Sequence, residues 1–305
     1  MITTFSVILS SRSSAARAAK ALIIGATLVL LTSCSGLRLG YDNAVQLSMW
    51  RLNGFFDLNS AQSPMVRQSL NTYFDWHRRT QLPVVAGLLA ELQPVMAGTV
   101  TAEVACSWFE RARQRIDPAI DRALVQAADV LPSLTEENFK ALEQRYAKRM
   151  AEMRTEYLQA DATERRAERL KRTVDRAEQI YGRLDEPQRQ VIASGLSTSI
   201  FDTEAWLTER QRRQADTLQT LRRLAADKPD RQQRITALRE LTERSQRSPD
   251  PTYRAYQQQL TQSNCMMAAQ IHNATTPAQR AKAQQKLQGW EADFRSLISD
   301  QATPQ

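Results

Sequence analysis

The chain has 305 residues, with 41 lysines and arginines against 33 aspartates and glutamates, so its formal net charge at pH 7 is +8. This length allows one large domain or two small ones. The modest positive charge suits an anionic membrane surface or acidic partners, and it is only weak support for a nucleic-acid-binding protein.

The amino terminus has the layout of a secretory signal peptide. Basic residues lie between positions 12 and 20, and an apolar run of about 11 residues follows at 21–31. That run is too short to cross a bilayer as a helix, which needs roughly 20 residues. It ends in Leu31-Thr32-Ser33-Cys34, which resembles a bacterial lipobox, where the cysteine becomes the lipidated first residue of the mature chain. We therefore expect a lipoprotein signal peptide at 1–33 and lipidation, such as palmitate, at Cys34.

The expected signal peptide also predicts where the protein lies in the cell and which partners it meets. Cleavage before Cys34 would leave about 270 residues with a net charge of about +5. We expect this chain in the cell envelope, held at the membrane by its lipid, with a possible envelope protein as partner and no nucleic acid. Ser35 stands where an aspartate would retain a lipoprotein at the inner membrane of enteric bacteria. The serine therefore favours the periplasmic face of the outer membrane.

The segment 34–58 forms an apolar lead-in to the rest of the chain. Its tether is short, because the six residues between Cys34 and Tyr41 reach only about 20 Å when fully extended. Two interpretations of 41–58 stay open: a short helix packed on the core, or a surface that touches lipid beside the anchor. The apolar and aromatic residues concerned are Tyr41, Leu47, Met49, Trp50, Leu52, Phe55, Phe56 and Leu58.

Residues 59–300 show helical periodicity without any sustained period-two alternation. Thr101 and Asp185 are predicted helix N-caps, Pro83 a kink or break and Pro118 a kink. We therefore expect an all-α fold, a single elongated or bundled domain of about eight or nine helices. The strongest apolar stripe comprises Phe139, Leu142, Tyr146, Met150, Met153 and Tyr157.

Two cysteines, Cys106 and Cys265, remain once Cys34 is assigned to lipid. An exported chain lies in a compartment that permits disulfides, so we expect these two to pair. The alternative is two unrelated buried thiols, since free cysteine is often found in protein cores. A bridge would bring the first and last thirds of the chain together and so favour one domain over two.

The sequence contains no recognisable catalytic constellation. Its two histidines, His77 and His272, are far apart and belong to no HExxH motif or ligand-spaced Cys/His cluster. It lacks a Gly-x-Ser-x-Gly elbow and a glycine-rich phosphate-binding loop. We therefore expect no enzyme, no metal, no cofactor and no small-molecule substrate. His77 lies on an apolar stripe, where a hydrogen-bonded core histidine is the more common role.

Charged residues mark one candidate polar surface or network, comprising His77, Arg78, Glu209, Arg210 and Arg213. The polar run 209–214 interrupts the apolar stripe of its helix. It is either an exposed helix middle or a polar network, buried or in a groove, in which Arg210 or Arg213 meets a carboxylate. The interleaved glutamates and arginines of 164–169 instead predict a solvated, salt-bridged helix face.

Five motifs carry a family resemblance: Arg38-Leu39-Gly40-Tyr41-Asp42, Trp76-His77-Arg78-Arg79-Thr80-Gln81-Leu82-Pro83, Tyr181-Gly182-Arg183-Leu184, Trp206-Leu207-Thr208-Glu209-Arg210-Gln211-Arg212-Arg213-Gln214 and His272-Asn273-Ala274-Thr275-Thr276-Pro277-Ala278-Gln279-Arg280. Together they resemble an uncharacterised family of predicted proteobacterial lipoproteins, a domain-of-unknown-function family, over essentially the whole mature chain. The resemblance implies a cell-envelope lipoprotein and supplies no activity.

A second resemblance concerns two helix starts. Leu184-Asp185-Glu186-Pro187-Gln188 and Thr275-Thr276-Pro277-Ala278-Gln279 are similar to the Leu-Thr-x-x-Gln turn of small helical periplasmic stress chaperones. Convergence on a capped helix start gives the same pattern.

The lipobox, the all-helical pattern and the missing catalytic motifs together predict the function. We expect a non-enzymatic envelope lipoprotein that binds or scaffolds at the membrane surface, with a periplasmic chaperone-like holder of unfolded envelope proteins as the alternative.

Overall fold

A computed structural model describes residues 36–299 of the chain, and this range is helical without strands. None of its helices is long and apolar enough to span a membrane. The predicted signal peptide, Cys34 and Ser35 lie outside the described range. In chain order the helices are α1 (Gly36–Asp42), α2 (Ala44–Phe56), α3 (Gln62–Thr80), α4 (Leu82–Val95), α5 (Ala102–Val130), α6 (Glu136–Tyr157), α7 (Ala162–Tyr181), α8 (Glu186–Ser197), α9 (Thr203–Asp227), α10 (Arg231–Gln246), α11 (Pro251–Ala274) and α12 (Pro277–Ser299).

The all-α prediction is confirmed, but the expected number of eight or nine helices is wrong, because residues 36–299 contain twelve. One reason is that some junctions are a single residue long. Gln81, which separates α3 from α4, keeps φ −97° and ψ −39° and so barely departs from helical geometry. Apolar periodicity runs through such a junction, and the sequence therefore understates the number of breaks. Pro118, where a kink was predicted, lies inside the single long helix α5.

Residues 36–43 and the chain from Ala44 onward form two separate compact units. In the first, α1 is followed by Asn43, whose side-chain amide donates to the Leu39 carbonyl at 2.8 Å. The second unit contains α2 to α12 as one body. The predicted domain 59–300 falls within this unit, which begins earlier because α2 belongs to it.

Most helices start where a polar side chain satisfies the free N–H groups of the first turn, as the sequence predicts. Thr101 Oγ1 accepts from the Val104 amide at 3.3 Å, and Asp185 Oδ1 accepts from the Gln188 amide at 2.9 Å. At α6 the reciprocal cap joins Thr135 to Asn138, whose Oδ1 accepts from the Thr135 amide at 2.8 Å. These caps fix the first turns of their helices and so the loops between them.

Two pairs of helix starts are joined by side-chain amides, which we call the amide pairs. Gln62, at the start of α3, donates through Nε2 to Asn138 Oδ1 at 2.8 Å, and both residues are buried. Gln188, near the start of α8, donates in the same way to Gln279 Oε1 near the start of α12, at 2.7 Å. Each pair therefore holds two helix starts that are distant in sequence against each other.

Three clusters distributed along the bundle form much of the core of the larger unit, and further apolar side chains are buried in α4 and α12. Helix α4 packs most extensively on α12, while α5 contacts α3, α10 and α11. The largest cluster joins α5, α6, α9 and α10 through Ala128, Leu131, Phe139, Leu142, Leu218, Leu221, Leu224, Ile235, Leu238 and Leu241. A second joins α7 and α8 through Val174, Ala177, Leu184 and Ile192, and a third joins α6 and α9 through Met150, Met153 and Leu207.

Candidate functional site

His77 lies near the end of α3 in a group of aromatic rings. Its ring centroid is 5.7 Å from that of Tyr73 and 6.4 Å from those of Phe74 and Trp76. Burial lowers the pKa of His77 below its ordinary value, so the ring is favoured in its neutral form. His77 is thus half-buried among aromatic rings, and its role as a hydrogen-bonded core histidine stays a prediction. Arg78 next to it donates through Nη1 to the Leu297 carbonyl of α12 at 3.5 Å.

His272 is buried in α11 and uses both ring nitrogens. Nε2 lies 2.7 Å from the Gly98 carbonyl and Nδ1 lies 3.0 Å from the Tyr181 hydroxyl. Since a carbonyl only accepts, Nε2 carries the proton and Nδ1 accepts from Tyr181. Burial lowers the pKa of His272, and burial raises the pKa of Tyr181 to about 12. The histidine therefore joins three segments as a neutral hydrogen-bonding group.

The polar run 209–214 forms a buried network rather than an exposed helix middle. Glu209 is only 5% exposed, and its carboxylate accepts two hydrogen bonds of 2.9 Å from Arg212 and one of 3.0 Å from Arg213. The buried Ser248 hydroxyl lies 3.2 Å from the same carboxylate. Burial raises the pKa of Glu209, but the hydrogen bonds from the two arginines outweigh it and hold that pKa below its ordinary value.

The network extends from α9 to α10. Arg244 donates two hydrogen bonds of 3.0 and 2.9 Å to Asp216, and Arg212 donates to the Arg244 carbonyl at 2.9 Å. Arg213 therefore meets a carboxylate, which is one of the two arrangements expected from the sequence. Arg212 and Arg244 also belong to the network, and the sequence did not single them out. Arg210 differs from the prediction, because its Nε is buried without a hydrogen-bond partner in the described protein. The residues His77 and Arg78 belong to α3 and take no part in these bonds.

The structure brings Cys106 of α5 and Cys265 of α11 together as a disulfide pair. Their Cα atoms are 5.3 Å apart, within the range that a disulfide requires. The two residues are separated by 159 positions in the sequence, and both lie in the compact unit that begins at Ala44. The expected contact between the early and late helices is therefore present.

A cavity of about 610 Å³ runs between α2, α3 and α5, and we call it the apolar groove. Arg51 of α2 is the single charged residue that lines it. Such a volume lies within the range of small-ligand sites, which are mostly apolar with a few polar groups. The side chains along it are Leu52, Phe55, Phe56, Leu58, Val66, Leu70, Tyr73, Phe74, Ala123, Ala127, Val130, Leu131, Leu134 and Leu221, with Ser48, Ser69 and Gln126.

Helix α2 also has an outward apolar face. Trp50 is 73% exposed and Leu47, one turn before it, is 52% exposed. Arg51 and Gly54 are exposed on the same side of the helix, while Met49 faces the interior. One side of the lead-in helix therefore packs on the core, as the first interpretation has it, and the other side carries large apolar groups at the surface, whose contact with lipid stays a prediction.

Comparison with known proteins identifies the family. Residues 54–254, more than half of the chain, match the family model described as "Family of unknown function (DUF6279)". The chain belongs to the DUF6279 family. No curated protein and no solved structure matches it significantly. The expected membership of an uncharacterised family is thus confirmed. The range shared with DUF6279 includes the Glu209 network and most of the apolar groove, and it ends before Cys265 and His272.

Within this DUF6279 chain, residues 36–299 contain no cluster of three or more metal-binding side chains. The sequence predicted the polar run around Glu209 but could not name Asp216, Arg244 or Ser248 as its partners. It also missed the apolar groove, because groove-lining side chains follow the same helical spacing as core residues. The exposed Trp50, in contrast, was one of the aromatic residues that marked the lead-in.

Proposed function

We propose that this DUF6279 protein is a non-enzymatic lipoprotein of the cell envelope, anchored through lipid on Cys34 at the periplasmic face of the outer membrane, which binds or scaffolds other envelope components there. The observation that carries this proposal is the outward face of α2, where Leu47 and Trp50 are exposed. Ala44, the first residue of α2, follows Cys34 by ten positions in the sequence. That length of chain reaches at most about 35 Å.

The chemistry of this face suits a membrane surface. Tryptophan has an amphipathic ring that favours the boundary between lipid and water. Arg51, also exposed, adds a cation that attracts anionic headgroups. Burying the Leu47 and Trp50 side chains would contribute about 1.5–3 kcal/mol each. Such a contribution supplements an acyl anchor, which holds firmly only when a second signal accompanies it.

The non-enzymatic part of the proposal is supported by how the polar side chains are used. Both ring nitrogens of His272 bind protein groups, and His77 is half-buried among aromatic rings. The Glu209 carboxylate is bound by two guanidinium groups. Groups bound in this way stabilise the fold and do not face a substrate.

Vesicle binding tests the membrane-facing helix. The full chain carrying Cys34→Ala, which removes the lipid, should bind anionic vesicles weakly, and adding Trp50→Ala should reduce that binding several-fold. Phe109 is the matched control, because it is 59% exposed on α5, and Phe109→Ala removes a comparable aromatic group elsewhere. Equal vesicle binding by the Trp50 and Phe109 variants would contradict the proposed orientation.

Fractionation of cells tests the anchor itself. Cys34→Ala in the otherwise natural chain should release the protein from membranes or leave the precursor unprocessed. Density-gradient separation of the wild-type protein should place it with the outer membrane. A Cys34→Ala protein of mature length that still sediments with membranes contradicts lipid anchoring.

A second candidate function, a chaperone-like holder, is favoured by the apolar groove. A cavity of about 610 Å³ with apolar walls offers space for side chains of an unfolded client. The full chain should then suppress aggregation of a reduced, unfolding test protein, and Leu70→Gln in the groove should weaken that effect. If the Leu70 variant suppresses aggregation as well as the wild type does, the groove is not the holding surface.

A further inference from the structure

Helix α7 carries a stripe of arginines on one side. Arg165, Arg169, Arg172 and Arg176 follow each other at spacings of four, three and four residues, which places them on one helix face. The stripe is about 16 Å long, since an α-helix rises ~1.5 Å per residue. Arg166 stands beside its first member. These five side chains line one cavity of about 520 Å³, which we call the arginine cleft.

The opposite wall of the arginine cleft is aromatic and neutral. Tyr157 at the end of α6, Phe201 before α9 and Trp206 in α9 form most of it, and Asn264 and Met267 of α11 complete it. No carboxylate is among the residues that line this cavity. The cleft therefore combines several positive charges with a neutral wall that does not neutralise them.

In the described part of the chain, four of the five cleft arginines lack a carboxylate partner, although they lie close together on one helix face. Only Arg172 forms an ion pair, at 3.8 Å from Glu168. Arg165, Arg166, Arg169 and Arg176 have no carboxylate within 4.0 Å across residues 36–299. Some arginines elsewhere do pair closely, as Arg231 does with Asp129 at 2.6 Å, Arg239 with Asp121 at 2.6 Å and Arg244 with Asp216 at 2.9 Å.

Neutral groups hold these guanidinium groups in place. Arg169 donates to the Ser199 hydroxyl at 2.6 Å and lies over the Phe201 ring at 5.2 Å from its centroid. Arg172 lies over the Tyr157 ring at 4.6 Å. Arg165 donates to the backbone carbonyl of Gln159 and, at 2.9 Å, to that of Ala160. The positive charges are thus positioned before any ligand arrives, which lowers the entropy cost of binding.

Burial makes the positive charge of Arg169 costly without an anion. Desolvation lowers the pKa of Arg169, and the nearby Arg172 lowers it further, although Tyr256 acts in the opposite direction. Carboxylates near the stripe include Glu168, which pairs with Arg172 at 3.8 Å, and three that lie towards the Arg165 end. Of these three, Asp161 interacts electrostatically with Arg165 and Arg166, and Asp202 and Glu204 line a neighbouring cavity that shares Arg165. Glu204 pairs with Arg154 at 3.6 Å. The part from Arg169 to Arg176 is therefore the most favourable position for an anion.

We propose that the arginine cleft binds a ligand bearing two or three phosphoryl groups. The guanidinium fork matches phosphate oxygens in a bidentate way. A phosphoryl monoester carries about −1.5 to −2 charges near neutral pH, so two or three of them balance the four unpaired arginines. A carboxylate ligand would need four separate groups in the same 520 Å³. The phosphoryl groups belong to a lipid headgroup or to a soluble phosphate, and the inference does not depend on the lipid anchor.

Calorimetric titration of the full chain in a nonionic detergent tests the proposal, with tripolyphosphate as the probe and citrate as the comparison anion. Tripolyphosphate should bind at one site and more tightly than citrate. Arg176→Gln removes an exposed arginine without a partner, so the fold is retained, and it should weaken binding severalfold. Combining it with Arg169→Gln should weaken binding at least tenfold in total, which corresponds to a combined loss of about 1.4 kcal/mol.

Arg239→Gln is the control, because it removes one positive charge from an exposed ion pair outside the cleft. It should leave the affinity within about twofold of the wild-type value. Competition by vesicles that contain lipid A, whose two phosphates are monoesters, identifies a lipid headgroup as the source of the phosphoryl groups, and a lack of competition identifies a soluble phosphate. Equal affinity for citrate, an equal loss in the Arg239 variant, or no binding of tripolyphosphate overturns the proposal.

Discussion

Replacement of Glu209 by glutamine should destabilise the protein more than any exposed charge substitution. The carboxylate is 5% exposed and accepts three hydrogen bonds from Arg212 and Arg213. Glu209→Gln keeps the shape of the side chain but removes its charge. Two guanidinium groups then face a neutral amide in a partly buried site, and an uncompensated charge of this kind is costly.

The magnitude follows from the partners that remain. Breaking a buried ion pair by removing one partner costs about 3–5 kcal/mol. Arg212 keeps Asp216 at 3.6 Å and the Arg244 carbonyl at 2.9 Å, so its charge stays partly compensated. We therefore expect the free energy of unfolding to fall by about 3 kcal/mol. For a chain of this size such a loss lowers Tm by about 6–12 °C.

Urea denaturation followed by circular dichroism measures this loss. Asp121→Asn is the matched control, since Asp121 pairs with Arg239 at the surface and the pair should contribute about 0–1 kcal/mol. The pKa of Glu209 is lower in the folded state than in the unfolded state. The contribution of its charge to the free energy of unfolding is therefore fully present above about pH 4.5 and is lost as the pH falls through the folded pKa. The difference between wild type and Glu209→Gln should therefore shrink in acid. Equal losses at pH 7 for the Glu209 and Asp121 variants would refute the reasoning.

Three further predictions concern the disulfide, an amide pair and the buried histidine. Reduction of the Cys106–Cys265 bridge should lower the free energy of unfolding by at most about 5 kcal/mol for its 159-residue separation. Mass spectrometry that finds both thiols free in unreduced protein isolated from cells would remove the bridge. Gln188→Ala should lower the free energy of unfolding measured in urea by about 1–3 kcal/mol. The loss in the double variant with Gln279→Ala should be smaller than the sum of the two single losses, whereas full additivity would show that the two amides are independent. The pKa of His272 is lower in the folded state than in the unfolded state, so the unfolded state binds more protons below about pH 6.5. The free energy of unfolding should therefore fall as the pH drops from 6.5 to 5. A His272→Gln protein whose stability depends on pH in the same way would contradict this.

Much of the fold could be predicted because its determinants are local. Thr101 and Asp185 cap helices through their own first turns, so their roles are visible in a short window of sequence. The twelve helices of residues 36–299 were undercounted because Gln81 interrupts a helix with almost no change in backbone geometry. The pairing of Cys106 with Cys265 was predictable because few cysteines were available.

The candidate sites were less predictable because they depend on contacts between distant segments. The arginine spacing from Arg165 to Arg176 is visible in the sequence, but the interleaved glutamates suggested a neutralised surface. The fold shows that only Arg172 pairs with one of them, at 3.8 Å, and that Phe201 and Trp206 close the other side. Glu209 was singled out correctly, yet its partner Ser248 lies 39 residues away and no local pattern indicates it.

The amide pairs also bear on how this sequence can change over evolutionary time. Gln62 and Asn138 differ by one methylene, and each uses its amide to bind the other as well as its own helix start. A single substitution at either position leaves a buried donor or acceptor without a partner. An exchange of the two side chains keeps both the chemistry and the combined length. Positions 62 and 138 should therefore covary among DUF6279 sequences, which makes this contact detectable from sequences alone once enough of them are compared.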